Sequence, residues 1–132
     1  MVDDSGNSLL HIAISNGNYE TVELLINNGA NLEIRNKDNI APIHQSVLSN
    51  KPEILKLLLA QNNCNVDLNA NFGGTALHIC ASTDNFECAK ILLNYKAALC
   101  SQCNNGFYPI HLAAHSCSNK VLALLMSEGN QK

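Results

Sequence analysis

Charge is scarce in this chain. Only 14% of its 132 residues are Asp, Glu, Lys or Arg, well below the roughly 25% of an average soluble domain. Aromatic residues make up 5%, tryptophan is absent, and the net charge is −3. The basic residues Arg35, Lys37, Lys51, Lys56, Lys90, Lys96, Lys120 and Lys132 are scattered along the chain, and without a clustered basic surface the composition argues against nucleic-acid binding. Long apolar runs are also missing: stretches such as Leu57-Leu58-Leu59-Ala60 fall far short of the roughly 20 residues that span a bilayer. The N-terminus has no basic, then apolar, then small-residue leader. The chain therefore reads as soluble and not addressed for secretion. Catalytic signatures are lacking too. The Gly73-Gly74 doublet has no Gly-Lys-Ser/Thr after it and reads as a turn, there is no Gly-x-Ser-x-Gly, and His111 is followed by Leu112 rather than the Glu of a zinc-protease helix. The expectation is a non-enzymatic chain with no cofactor.

What is present argues for a folded domain, since 46% of the residues are hydrophobic and disorder needs the opposite balance. The polar remainder is rich in amide, with 20 Asn, a residue that closes turns through its side chain and tolerates left-handed backbone. Self-similarity is strong. His11, His44, His78 and His111 are 33, 34 and 33 residues apart, and they end the tetrapeptides Ser8-Leu9-Leu10-His11, Ala41-Pro42-Ile43-His44, Thr75-Ala76-Leu77-His78 and Tyr108-Pro109-Ile110-His111. Thirteen and fourteen residues beyond each histidine stand Leu24-Leu25, Leu57-Leu58, Ile91-Leu92 and Leu124-Leu125. Glycines keep the same register. Gly6, Gly73 and Gly106 lie five before the histidine, Gly17 six after it, and Gly29 and Gly129 eighteen after it. Where glycine is missing, Asn39, Asn50, Asp84 and Asn62 occupy the slots, as residues able to take positive φ. Pro42, Pro52 and Pro109 fall at expected helix starts, where a missing N–H costs nothing.

Each unit reads as turn, short helix, turn, longer helix, loop. In the third, Thr75–Ala81 forms a small-residue helix broken near Asp84, and Phe86–Leu93 a second with apolar residues at three- and four-residue spacing. Neither helix buries its apolar face alone; stacking on the next unit completes the burial. The 33-residue period with a Thr-Pro-Leu-His-like start resembles the ankyrin repeat over about residues 4–132. That resemblance implies an all-α ankyrin-repeat solenoid with hairpin-like loops on one edge. The whole chain, 1–132, forms a single domain of four units at about 4–36, 37–70, 71–103 and 104–132. Departures are Leu9 and Ala76 in place of proline, Tyr108 and Ala41 in place of threonine, and one extra residue near Gln61-Asn62-Asn63-Cys64. The matching histidine of the family bonds backbone groups and braces adjacent repeats, which is the role the resemblance implies for all four.

Six cysteines, Cys64, Cys80, Cys88, Cys100, Cys103 and Cys117, read as reduced and partly buried thiols, with Cys80 and Cys88 on apolar helix faces. Cys100 and Cys103 have the spacing of a zinc or redox pair, followed by His111 and His115 at a helical interval. The short gap to His111 and its bracing role argue against a metal centre. What remains is surface. Positions four and five after each histidine, Ser15, Asn16, Leu48, Ser49, Ser82, Thr83, His115 and Ser116, approach the concave groove if the ankyrin assignment holds. They vary while the framework repeats, as a partner-binding face would and as unconstrained solvent positions would.

Off-consensus choices point further. Asp3-Asp4-Ser5-Gly6-Asn7, Gly29-Ala30-Asn31 with Arg35-Asn36, Ala41-Pro42-Ile43-His44, the insertion before Asn65-Val66-Asp67-Leu68-Asn69, and Gly106-Phe107-Tyr108-Pro109-Ile110-His111-Leu112-Ala113-Ala114 recur in this order. Together they resemble the early repeats of the ankyrin-type transient receptor potential (TRPA) channels. This implies a cytosolic N-terminal segment, on the inner side of the plasma membrane, of a homotetrameric calcium-permeable cation channel gated by irritants or heat. The alternative is a soluble ankyrin adaptor that grips a protein partner in its groove. The ends carry no polar capping substitution in Leu10–Ile14 or in Val121–Met126, so the chain reads as a piece of a longer array whose cut ends expose apolar surface.

Overall fold

A computed structural model describes residues 2–129; residues 130–132, which close the expected fourth unit, lie outside the described residues. Among the described residues there are eight α-helices and no strand: α1 (Leu9–Ser15), α2 (Tyr19–Asn27), α3 (Pro42–Leu48), α4 (Pro52–Leu59), α5 (Ala76–Thr83), α6 (Phe86–Asn94), α7 (Pro109–His115) and α8 (Asn119–Gly129). Each expected unit thus holds one short and one longer helix, and the architecture is the all-α repeat solenoid class. The helices group into two compact units, Met1–Asn65 with α1 to α4 and Val66–Lys132 with α5 to α8.

The helix breaks follow from single left-handed residues. Six positions after the histidines, Gly17, Asn50, Asp84 and Cys117 have φ of 71°, 53°, 54° and 56°, which stops each short helix after two turns. The next helix then starts on a cap or a proline. The Thr21 N–H donates to Asn18 Oδ1 (3.2 Å) and the Cys88 N–H to Asn85 Oδ1 (3.3 Å), whereas α4 opens on Pro52, which lacks an N–H at a position where none would be paired within the helix. Asn39 also takes the expected positive φ, at 61°. Asn62 does not: the residue inserted in that loop displaces the turn, and the left-handed slot eighteen after the histidine is filled instead in the third unit by Lys96, at 68°.

Ahead of each short helix the chain makes a hairpin-like turn closed by backbone bonds at the repeat period. Asp3 N–H donates to Asn7 O (3.1 Å), Asn36 to Ile40 (3.1 Å), Ala70 to Gly74 (2.7 Å) and Cys103 to Phe107 (3.0 Å). Within each compact unit consecutive turns also join, Lys37 N–H to Ser5 O (3.0 Å) and Asn104 N–H to Phe72 O (2.8 Å). Glycine is required at Gly6 for two reasons: its φ is +75°, and a Cβ there would lie 2.9 Å from the Lys37 backbone nitrogen.

In the first unit α1 packs on α3 and α2 on α4. Leu10, Ala13, Ile14, Val22, Leu32, Ile54 and Leu58 form one buried cluster, with Leu25 and Leu57 partly buried against it. In the second unit α5 packs on α7 and α6 on α8, around Leu77, Cys80, Cys88, Leu92, Val121 and Leu125, all buried. Cys80 and Cys88 therefore serve as the small hydrophobes their positions suggested.

Candidate partner-binding face

The histidines come first because they fix the turns from which the candidate face is built. In all four units the ring Nδ1 accepts a backbone N–H from the residue three earlier: Ser8 to His11 (3.1 Å), Ala41 to His44 (3.1 Å), Thr75 to His78 (3.0 Å) and Tyr108 to His111 (3.0 Å). An Nδ1 that accepts leaves the proton on Nε2. His11 Nε2 donates to Ile40 O (2.7 Å) and His78 Nε2 to Phe107 O (2.9 Å), each tying a short helix to the following turn. His11, His44 and His78 are buried. His111 differs: it is exposed and stacks on Tyr108, centroids 5.1 Å apart and planes 23° from parallel. Burial pushes His78 below the usual imidazole value despite its backbone bonds.

On this frame the eight candidate residues end the four short helices. Ser15, Asn16, Leu48, Ser82, Thr83, His115 and Ser116 are exposed and Ser49 is half-buried. In the first unit the structure joins two of them through a residue the sequence reading missed. Gln45 Nε2 donates to Ser49 Oγ at 2.9 Å and to Ser15 Oγ at 3.5 Å, with Leu48, 50% exposed, at the end of the same helix. The signal that could have found Gln45 is its place one after His44, on the turn below Ser49. In the second unit Thr83 turns its hydroxyl back to Ile79 O (2.8 Å), while His115 and Ser116 close α7. No residue of α1, α3, α5 or α7 is Asp, Glu, Lys or Arg. The faces are thus neutral, made of hydroxyl, amide, imidazole and aliphatic groups, and suited to hydrogen bonding and apolar contact rather than ion pairing.

Thiol chemistry is muted in the interior. Burial raises Cys64 and Cys88 to about 11 and Cys80 well above its ordinary value, so these three stay protonated and unreactive at neutral pH. Cys103 is buried too, at the turn position that Asp3 and Asn36 occupy in the first two units, while Cys100 and Cys117 are exposed. Among the described residues no three His, Cys, Asp or Glu side chains come together as a metal site requires, and the Cys100, Cys103, His111 and His115 set does not converge. No described helix is long and apolar enough to cross a membrane.

Registered helix pairs, histidine-tied turns and a neutral face of short helices define a repeat protein of the solenoid class. The family model described as ankyrin repeats (3 copies) matches residues 1–70 and again 43–132, and the chain belongs to the ankyrin-repeat family. It is similar to the transient receptor potential cation channel subfamily A member 1 of Homo sapiens, 35% identical over 130 residues, 98% of this chain and 12% of that protein. The protein of the same description from Drosophila melanogaster is 36% identical over 85 residues, 63% of this chain and 7% of the relative. The nuclear factor NF-kappa-B p105 subunit of Gallus gallus is 32% identical over 136 residues, 98% of this chain and 14% of the relative. The chain thus spans about an eighth of the length of such relatives.

Proposed function

We propose that this chain is a non-enzymatic protein-contact segment belonging to the cytosolic N-terminal array of a TRPA-type, calcium-permeable sensory channel at the plasma membrane, a homotetramer in which the repeat stack couples contacts to the gate. The observation that carries this reading is the likeness to the human subfamily A channel, 35% identical over 98% of this chain and 12% of that protein, supported by the match to the fly protein. The candidate contact residues are Ser15, Asn16, Leu48, Ser49, Ser82, Thr83, His115 and Ser116, with Gln45 added by its bonds to two of them. A neutral face implies that partner binding is insensitive to salt. The complete reading frame tests the channel assignment: six apolar segments of roughly 18 or more residues downstream support it, and their absence overturns it.

A second reading rests on the likeness to the NF-kappa-B p105 subunit over the same 98% of the chain. In it the repeats act as a soluble adaptor. A reading frame without membrane segments favours this alternative.

A further inference from the structure

Hydroxyl protons on the short helices have two fates. Ser46 Oγ donates to Ile43 O (2.7 Å) and Thr83 Oγ1 to Ile79 O (2.8 Å), so both protons are spent on the backbone of their own helix. Ser15 and Ser49 do the opposite: their oxygens accept from Gln45 Nε2, at 3.5 Å and 2.9 Å. A primary amide nitrogen carries two hydrogens, and Gln45 uses both on these serines. Among the described residues no protein group donates to Gln45 Oε1, and neither serine proton has a protein acceptor. The bridge across α1 and α3 thus holds one uncommitted acceptor and two uncommitted donors. Beside it in sequence stands Leu48, 50% exposed. The residue four after the histidine is exposed in every unit, as Ser15, Leu48, Ser82 and His115, so the exposure of Leu48 belongs to the repeat position.

A group that pairs with this bridge must hold a donor and an acceptor on one side and carry no charge. A carboxylate has no hydrogen for Gln45 Oε1, and an ammonium or guanidinium has no acceptor for the serine hydroxyls. Either would also give up water against helices that contain no Asp, Glu, Lys or Arg, a cost that no opposite charge offsets there. A single trans peptide unit directs its N–H and C=O to opposite sides. The primary amide of Asn or Gln meets the requirement, because its N–H and C=O emerge side by side from one planar group.

We infer that the α1–α3 face holds a subsite for an Asn or Gln side chain of a partner polypeptide. The partner's amide N–H donates to Gln45 Oε1, its amide oxygen accepts from the Ser49 hydroxyl, and an adjacent aliphatic residue of the partner rests on Leu48. The inference rests on the contact role proposed for this face and adds what the partner must present there. Thr83, the equivalent of Ser49 in the third unit, has spent its proton on Ile79 O, which confines the subsite to α1 and α3.

Selection of phage-displayed random linear peptides on the 132-residue chain tests this. Binders that lose affinity for the L48R variant are those that sit on the face. The expected result is that their shared motif pairs Asn or Gln with Leu, Ile or Val and lacks Asp, Glu, Lys and Arg. A synthetic binder whose Asn or Gln is replaced by Leu should bind the parent about tenfold more weakly, the loss expected for two neutral hydrogen bonds. The same replacement should cost nothing further against Q45L, because the amide has already lost its acceptor. Circular dichroism and a urea melt of each variant confirm folding, and S49A replaces Q45L if that variant melts early. Face binders with no amide preference, or an amide whose replacement costs as much against Q45L as against the parent, overturn this inference and leave the contact role standing. A selection that yields no binder weakened by L48R overturns both.

Discussion

The Asp84 carboxylate accepts the Val121 backbone N–H at 3.1 Å across 37 residues of sequence. Val121 is the third residue of α8, and the first four N–H groups of a helix have no partner within it. Asp84 therefore caps the helix of the following repeat while its own backbone, at φ 54°, ends α5. One side chain terminates one element and starts another.

Separate substitutions divide those two tasks. Asp84→Gly removes the cap and keeps the left-handed backbone relaxed, and a urea melt should show a loss of about 1 kcal/mol. Asp84→Ala removes the cap and places a Cβ in the left-handed region, so the loss should be about 2 kcal/mol. An alanine variant as stable as the glycine variant would mean that the backbone conformation carries no cost at this position.

Left-handed residues without the chemistry for it mark places where stability can be gained. Lys96 and Cys117 sit at φ 68° and 56°, in slots that glycine fills elsewhere as Gly29 and Gly17. Both are exposed, so little packing is lost on replacement. Lys96→Gly and Cys117→Gly should each raise stability by about 0.5–1 kcal/mol, the relief of Cβ strain exceeding the added chain entropy of glycine. Thermal melts of the two variants check this; a lower midpoint in both contradicts it.

Those two residues also show where sequence reading stops. Asn39, Asn50 and Asp84 were legible as left-handed because their side chains favour that backbone, and the period placed them. Lys96 and Cys117 were not, since nothing in their chemistry prefers positive φ; the stacking of the repeats imposes it. Asn62 was misread because the inserted residue moves the turn while leaving the helices in register. The eight helices were legible because apolar spacing, prolines and histidines all marked the same 33-residue frame. On the candidate face the exposure of Ser15, Leu48 and Ser82 followed from that frame. The Gln45 bridge from Ser15 to Ser49 did not, because it depends on two helices lying side by side.

Leu58 stands at the centre of the first unit's cluster and is fully buried. Leu58→Ala removes its packing against Leu10, Ile14, Val22 and Ile54 and leaves a cavity that the short helices around it cannot close. The expected loss is about 2–5 kcal/mol in a denaturant melt. A loss below about 1 kcal/mol would contradict the burial of this face of α4.

Thiol accessibility should divide the cysteines sharply. Cys100 and Cys117 are exposed and should be alkylated by iodoacetamide in the native protein. Cys80 and Cys88 are buried and their thiols are raised, so they should react only on unfolding, with mass spectrometry of tryptic peptides as the readout. Equal labelling of Cys88 and Cys100 under native conditions would show that the second unit opens readily.

Acid should weaken the second unit through His78. Its ring is buried, its Nδ1 accepts the Thr75 N–H and its Nε2 donates to Phe107 O, a bonding pattern open only to the neutral imidazole. A proton added at Nδ1 would face the Thr75 N–H with another donor. The folded-state pKa is correspondingly lowered from 6.5, chiefly by burial. As pH falls through 6.5, the unfolded chain takes up this proton before the folded chain does, so stability falls with pH. The contribution is fully present above that value, drains as pH drops from it towards the folded-state pKa, and changes no further below that. The expected observations are a urea midpoint lower at about pH 5.5 than at about pH 7.5, and an NMR titration of the His78 ring with its midpoint below 6.5. A His78 midpoint above that value would mean that the charged ring is the one the fold prefers.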